Sequence, residues 1–219
     1  MTIIVAVLLS AISEVLKAPQ QKNELLAQKN DILKSVGMDT VPDIETFYAE
    51  NIEGIVINNK GDILEGLDPL SVNLKVEASK KDPASRNYPL FIFNNPAGSK
   101  NYIVPVRGFG LWGAIWGYVA LEEDLNTIKG VAFDHESETP GLGGEIKTDW
   151  FQNQFVGKRI FDKNEQFVGI IVKKGRIDDP NHEVKSISGA TLTCNGVTEM
   201  LRDGLKAYLP YFEKLKKTS

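Results

Sequence analysis

From Tyr88 onward the chain breaks into short apolar runs separated by glycines and polar turns, and this punctuation limits the fold more than any other feature. The runs Leu90–Phe93, Tyr102–Val106, Ile115–Leu121, Ile128–Asp134 and Phe167–Lys173 have the length and residue types of strands. An earlier run, Ile52–Ile57, leads into Asn58-Asn59-Lys60-Gly61, which reads as a tight turn. Between these, 68–87 is rich in Asp, Lys, Ser and Pro, has no period and reads as a surface connection, while 147–155 is polar and helix-compatible. A clear helical period closes the chain over Cys194–Leu209. Val197, Leu201, Leu205 and Leu209 recur every four residues as one apolar stripe, with Glu199, Arg202, Asp203 and Lys206 on the other faces. Strands gathered first and a closing helix predict an α+β domain, an antiparallel sheet with packed helices.

The N-terminus departs from this pattern. Residues 2–16 are nearly all apolar apart from Glu14 and small hydroxyl side chains, a run shorter than the roughly 20 residues of a spanning helix and lacking the basic start of a signal peptide. It reads as the C-terminal part of a transmembrane helix whose first turns precede this chain; a buried helix of a soluble domain is the other reading. Residues 17–36 are polar and helix-prone, a stalk toward the globular part. The expected organisation is therefore a partial membrane helix (1–16), a helical stalk (17–36), the N-terminal part of the globular region (37–100) and a ligand-carrying domain (101–219). A length of 219 residues suits one compact domain plus an anchor, and a net charge of -4 argues against nucleic acid as a partner. Cys194 is the only cysteine, which excludes an intrachain disulfide and cysteine-rich metal clusters.

Three stretches carry candidate chemistry. In 107–118 four glycines interrupt an aromatic run, allowing close approach of another chain or a planar ligand; the structural alternative is a bulged hairpin with Trp112 and Trp116 in the core. In 135–144 a loop with Pro140 and three glycines follows a strand and places His135, Glu138 and Thr139 at its rim, suited to cover a ring system or a phosphate. It lacks the Gly-Lys-Ser/Thr of a P-loop and the Gly-x-Gly-x-x-Gly of a dinucleotide fold. In 188–193, Ser188-Gly189-Ala190-Thr191-Leu192-Thr193 hands the chain to the closing helix, with Ser188 as expected N-cap and free amides that favour a phosphate.

Taken in order, Gly-Leu-Trp-Gly with Ile-Trp-Gly-Tyr, His-Glu-Ser-Glu-Thr-Pro-Gly-Leu-Gly and Ser-Gly-Ala-Thr resemble the covalent FMN-binding domain family, and within it the C subunits of sodium-translocating NADH:quinone oxidoreductases. The apolar start and the Gln20-Gln21-Lys22-Asn23 segment extend the resemblance over nearly the whole chain. It implies FMN held by a phosphodiester to the side-chain oxygen of Thr191, attached by a separate flavin transferase that uses FAD. Around it, the expected cofactor-binding residues are Ser188, Gly189, Ala190, Leu192, Thr193, His135, Glu138, Thr139, Gly141, Leu142 and Gly143, with no catalytic residue and no metal. The resemblance further implies a subunit of a membrane oxidoreductase complex that passes electrons toward quinone, anchored in the bacterial inner membrane with its globular part periplasmic. Lys17 and Lys22 alone would favour the opposite orientation. Lys185 stands where the transferase's target pattern has aspartate.

Other readings are a flavin-carrying subunit of an Rnf-type electron-transfer complex, a membrane-tethered binding module in which Thr191 is part of a helix cap, and a hydrolase built from Ser188, His135 and Asp134. The last lacks a Gly-x-Ser-x-Gly elbow. Cys194, one turn past Thr191, reads as a buried helix cysteine rather than a redox group.

Overall fold

A computed structural model describes residues 2–96 and 98–218. Its α-helices and strands are α1 (Thr2–Ser35), α2 (Ile44–Asn51), β1 (Ile52–Ile57), α3 (Leu74–Ser79), β2 (Tyr88–Asn94), β3 (Lys100–Phe109), β4 (Ala114–Leu121), β5 (Ile128–His135), α4 (Asp149–Gln152), β6 (Ile171–Lys173), β7 (Glu183–Lys185), α5 (Thr191–Lys206) and α6 (Leu209–Thr218). Strands β1 to β5 form one antiparallel meander in sequence order, and β6 and β7 pair in parallel as a small second sheet. The α+β fold with an antiparallel sheet is as the punctuation predicts.

Apolar side chains leave the meander on both faces, which is why its strands read as continuous apolar runs rather than as alternating ones. Val104, Val106, Ile115 and Val119 pack against Val197, Leu201 and Leu205 of α5 and Tyr208 and Phe212 beyond it. Phe91, Phe93, Ile103, Tyr118 and Ala120 pack on the other face against Ile32, Leu33 and Val36 from the end of α1 and its exit, and Tyr48 of α2. The Tyr208 hydroxyl donates to the Pro89 carbonyl at 2.8 Å, locking the exit of α5 to the start of β2.

Residues 2–35 form one continuous helix. Its last turns dock on the sheet, while Val15, Leu16 and Leu25 stay exposed. Among the described residues no helix is long and apolar enough to cross a membrane. Residue 1, the first of the expected membrane segment, lies outside the described residues.

Four local expectations are corrected. Leu209 does not continue the stripe of α5, because that helix ends at Lys206 and α6 restarts at Leu209 with Pro210 in its first turn, where a proline needs no amide partner. Only Ile171–Lys173 of the run from Phe167 is strand: the amides of Val168 and Gly169 both donate to the Ile160 carbonyl, and Gly169 has φ +69. The surface connection 68–87 carries α3 and two short 3-10 turns, each capped by an Asp or Asn side chain. Trp112 and Trp116 are not core residues, since Trp112 is 66% exposed at a hairpin tip and Trp116 is half-buried.

Candidate functional site

The three stretches converge at the N-terminal end of α5. Ile187 to Ala190 form a turn in which the Ala190 amide donates to the Ile187 carbonyl at 3.2 Å. Gly189, at φ +78, fills its third position, in a conformation that a residue with a side chain rarely adopts. This turn separates Ser188 from the helix, so the residue at the N-cap is Ala190 and no side chain caps α5. The expectation that Ser188 caps the helix is thereby corrected; Ser188 is exposed. Without a side-chain cap, the first-turn amides and the positive end of a 16-residue helix face outward beside the exposed Thr191.

A cavity of about 340 Å³ adjoins this end, lined by Lys174, Gly175, Ser186 to Gly189 and Thr191. Lys174 follows β6 and is exposed; the pairing of β6 with β7 brings it beside the turn into α5. Nothing in the local sequence pattern indicates that residue 174 faces residue 191, and no motif marks it. Lys185 is exposed, with its backbone amide held by the Gln154 side chain at 2.9 Å.

The 107–118 stretch is the hairpin of β3 and β4, closed by a Gly110 amide to Gly113 carbonyl bond at 2.9 Å. It lies directly on α5: a Cβ on Gly196 would sit 2.1 Å from the Phe109 carbonyl oxygen, so the helix reaches the strand end only because that residue is glycine. Phe109, Leu111 and Trp112 at the tip are exposed, as are Leu142 and Leu192, and together they give this end of the molecule an apolar rim.

The 135–144 loop sits between hairpin and helix. Glu138 is buried; its Oε1 accepts the Trp112 amide at 2.7 Å and its Oε2 accepts the Thr193 hydroxyl at 2.6 Å. His135 Nδ1 accepts the Glu138 amide at 3.2 Å. The Thr139 carbonyl accepts the amides of Leu142 and Gly144, while Gly141, at φ +75, donates to Glu145. Leu142 is 41% exposed and its Cδ2 lies 2.8 Å from where a Cβ of Gly189 would be, so loop and turn touch. Gln152, which no motif marks, is buried and donates to the carbonyls of Phe133 and Ile146, which flank the loop on either side.

The expected site residues thus divide into two sets. Thr191, Ser188, Gly189, Leu192, Leu142, Thr139 and Gly141 are exposed around the helix start, whereas Glu138, Thr193, Gly143 and Ala190 are buried beneath it and His135 is half-buried. Cys194 is also buried. Burial pushes its thiol up, against the opposing effect of the Ile187 amide that donates to Sγ at 3.3 Å, and this suits a packed thiol rather than a reactive one. The hydrolase arrangement is not formed: Asp134 Oδ1 accepts the backbone amide of His135, and among the described residues no hydrogen bond joins Ser188 to His135.

The helix start thus has no side-chain cap, a neighbouring lysine and exposed apolar residues around it, and residues 110–206 match the FMN-binding domain family. Over a longer span, the chain is 35% identical to the C subunit of the Na(+)-translocating NADH-quinone reductase of Neisseria meningitidis serogroup B, covering 92% of this chain and 85% of that protein. It is 32% identical to the same subunit of Vibrio campbellii, covering 90% and 84% respectively. The crystal structure of the C subunit from Parabacteroides distasonis superimposes with a TM-score of 0.81 at 37% identity, covering 90% of this chain and 96% of that one. The Shewanella oneidensis NqrC structure gives 0.79 at 26% identity, covering 90% and 99%. The chain belongs to the NqrC family, the C subunits of Na(+)-translocating NADH-quinone reductases.

Proposed function

We propose that this protein is the flavin-carrying subunit of a sodium-translocating NADH:quinone oxidoreductase, with FMN joined by a phosphodiester to Oγ1 of Thr191. The observation that carries the reading is the exposed Thr191 as first residue of the uncapped α5, beside the cavity lined by Lys174. A phosphodiester keeps one negative charge. The first-turn amides, the helix dipole and the Lys174 ammonium all favour an anion at that point. Phe109, Leu111, Trp112, Leu142 and Leu192 offer apolar and aromatic surface for a planar ring within the same end of the molecule.

The bound flavin supplies reversible electron transfer. The chain itself holds the phosphate, turns the hydroxyl of Thr191 outward and shields part of the ring. A threonine hydroxyl is a poor nucleophile without a base beside it, so attachment falls to a separate flavin transferase with FAD as donor. Lys185, in place of the aspartate usual in that enzyme's target pattern, is exposed and open to it. In this reading the subunit would hold the flavin for electron transfer toward quinone among the redox centres of the other subunits, with sodium transport coupled elsewhere in the complex. The N-terminal part of α1 anchors the subunit in the bacterial inner membrane, with the globular part periplasmic.

Expression with a flavin transferase, followed by denaturing gel fluorescence, tests the attachment. A fluorescent band that disappears in Thr191→Ala is the expected result, and an unlabelled wild-type band excludes the tether.

A further inference from the structure

Glu138 is a carboxyl side chain only 4% exposed, and among the described residues no Lys, Arg or His lies within ion-pairing distance of it. Burying such a group without a cation is costly, so its two hydrogen bonds have to matter. They reach in opposite directions along the sequence: back 26 residues to the Trp112 amide at the hairpin tip, and forward 55 residues to the Thr193 hydroxyl in the first turn of α5. Two glycines make the room. A Cβ on Gly110 would stand 2.5 Å from Glu138 Oε1, and one on Gly143 would stand 2.2 Å from Oε2.

Helix geometry turns this contact into control of the neighbouring residue. Positions two apart are separated by roughly 200° around an α-helix, so a Thr193 held inward leaves Thr191 facing outward. The observed burial agrees, with Thr193 1% exposed and Thr191 on the surface.

We infer that Glu138 is a positioning residue that clamps the hairpin tip to the first turn of α5 and thereby fixes the Thr191 hydroxyl relative to the rim formed by Trp112 and Leu142. This rests on the reading of Thr191 as the flavin-bearing residue. The clamp needs reach and hydrogen bonds rather than negative charge. Glutamine supplies both, its Oε1 accepting the Trp112 amide and its Nε2 donating to the Thr193 oxygen, whereas aspartate is one methylene short and alanine offers nothing.

The test compares Glu138→Gln, Glu138→Asp and Glu138→Ala in the full chain by three readouts. These are hydrogen exchange at the Trp112 amide, the rate of labelling by a flavin transferase with FAD, and the fluorescence anisotropy of the attached flavin. In Glu138→Asp and Glu138→Ala the Trp112 amide should exchange about tenfold faster or more, as expected for the loss of its hydrogen bond to a carboxyl, with slower labelling and a more mobile flavin. Glu138→Gln should retain the amide protection, labelling rate and anisotropy of wild type. If Glu138→Ala fails to fold, the comparison of Glu138→Gln with Glu138→Asp decides. Unchanged protection and labelling in Glu138→Asp or Glu138→Ala overturns the clamp, and so does a Glu138→Gln variant as impaired as Glu138→Ala, which would assign the role to charge. If wild type takes no flavin at all, the reading of Thr191 falls, and hydrogen exchange alone still decides the clamp.

Discussion

Replacing Gly196 by alanine inverts the usual rule for helix substitutions and probes the contact that brings the hairpin to the helix. In an exposed helix interior, Gly→Ala stabilises by about 1 kcal/mol, since alanine loses less backbone freedom. At Gly196 the new Cβ would lie 2.1 Å from the Phe109 carbonyl oxygen, 3.1 Å from its carbon and 3.4 Å from Gly110 Cα, all backbone atoms at the end of β3. A backbone carbonyl in a paired strand cannot rotate away, so helix and hairpin must separate by ~1 Å, and overpacking of that kind costs about 1–3 kcal/mol. With the propensity gain subtracted, a net loss of up to about 2 kcal/mol is expected, and for a chain of this size that lowers Tm by up to roughly 8 °C. Thermal unfolding followed by circular dichroism reads it directly. Gly141→Ala serves as a control, because no atom lies within 4 Å of its Cβ position and its φ of +75 leaves only backbone strain. A Tm in Gly196→Ala raised above that of wild type, as for an unobstructed helix glycine, would refute the close approach of α5 to β3, and with it the geometry of the site.

Two further outcomes follow from the charges. Lys174→Glu places a negative charge in the cavity beside Thr191, so labelling by the flavin transferase should slow several-fold, with an effect that shrinks as salt is raised, on the order expected for an exposed charge; equal rates at low salt would remove Lys174 from the phosphate site. Asp31 on α1 has its pKa raised from 3.8 to about 6 by burial and by the nearby Asp134, against the pull of Lys34. The folded state then binds more protons than the unfolded one between those values, so this group weakens the fold as pH rises from 3.8 toward 6 and its full penalty stands above that window. Asp31→Asn should therefore stabilise the protein at neutral pH, by on the order of 1 kcal/mol given the group's partial exposure, with the gain vanishing near pH 4; chemical denaturation at both pH values measures it, and a gain independent of pH would count against this role for Asp31.

The sheet was legible because its strands are short, apolar and bounded by glycines: β1 spans the residues its run indicates, and β2 to β5 extend their runs by a few residues at most. The buried stripe Val197, Leu201 and Leu205 was equally legible, since one face of α5 packs on the sheet and nothing competes with that period. What local pattern missed lies where a turn or a distant partner decides. Ser188 has the chemistry of an N-cap, but Gly189 at φ +78 inserts a turn between it and the helix. Trp112 has core composition, yet it sits exposed at the tip of the β3–β4 hairpin, past the last paired residues Phe109 and Ala114. The three site stretches could be recognised from their order along the chain. The pivot between them could not, because the two partners of Glu138 are 26 residues before it and 55 after it. Lys174 is invisible for the same reason: only the pairing of β6 with β7 brings it to the helix start.

Whether Thr191 carries the flavin is decided by mass spectrometry of peptides from the protein expressed with its flavin transferase. The peptide containing Thr191 should carry the mass of FMN less one water, with fragmentation placing it on the Thr191 side chain. An unmodified Thr191 peptide, or flavin mapped to any other residue, would rule out the covalent site at the start of α5.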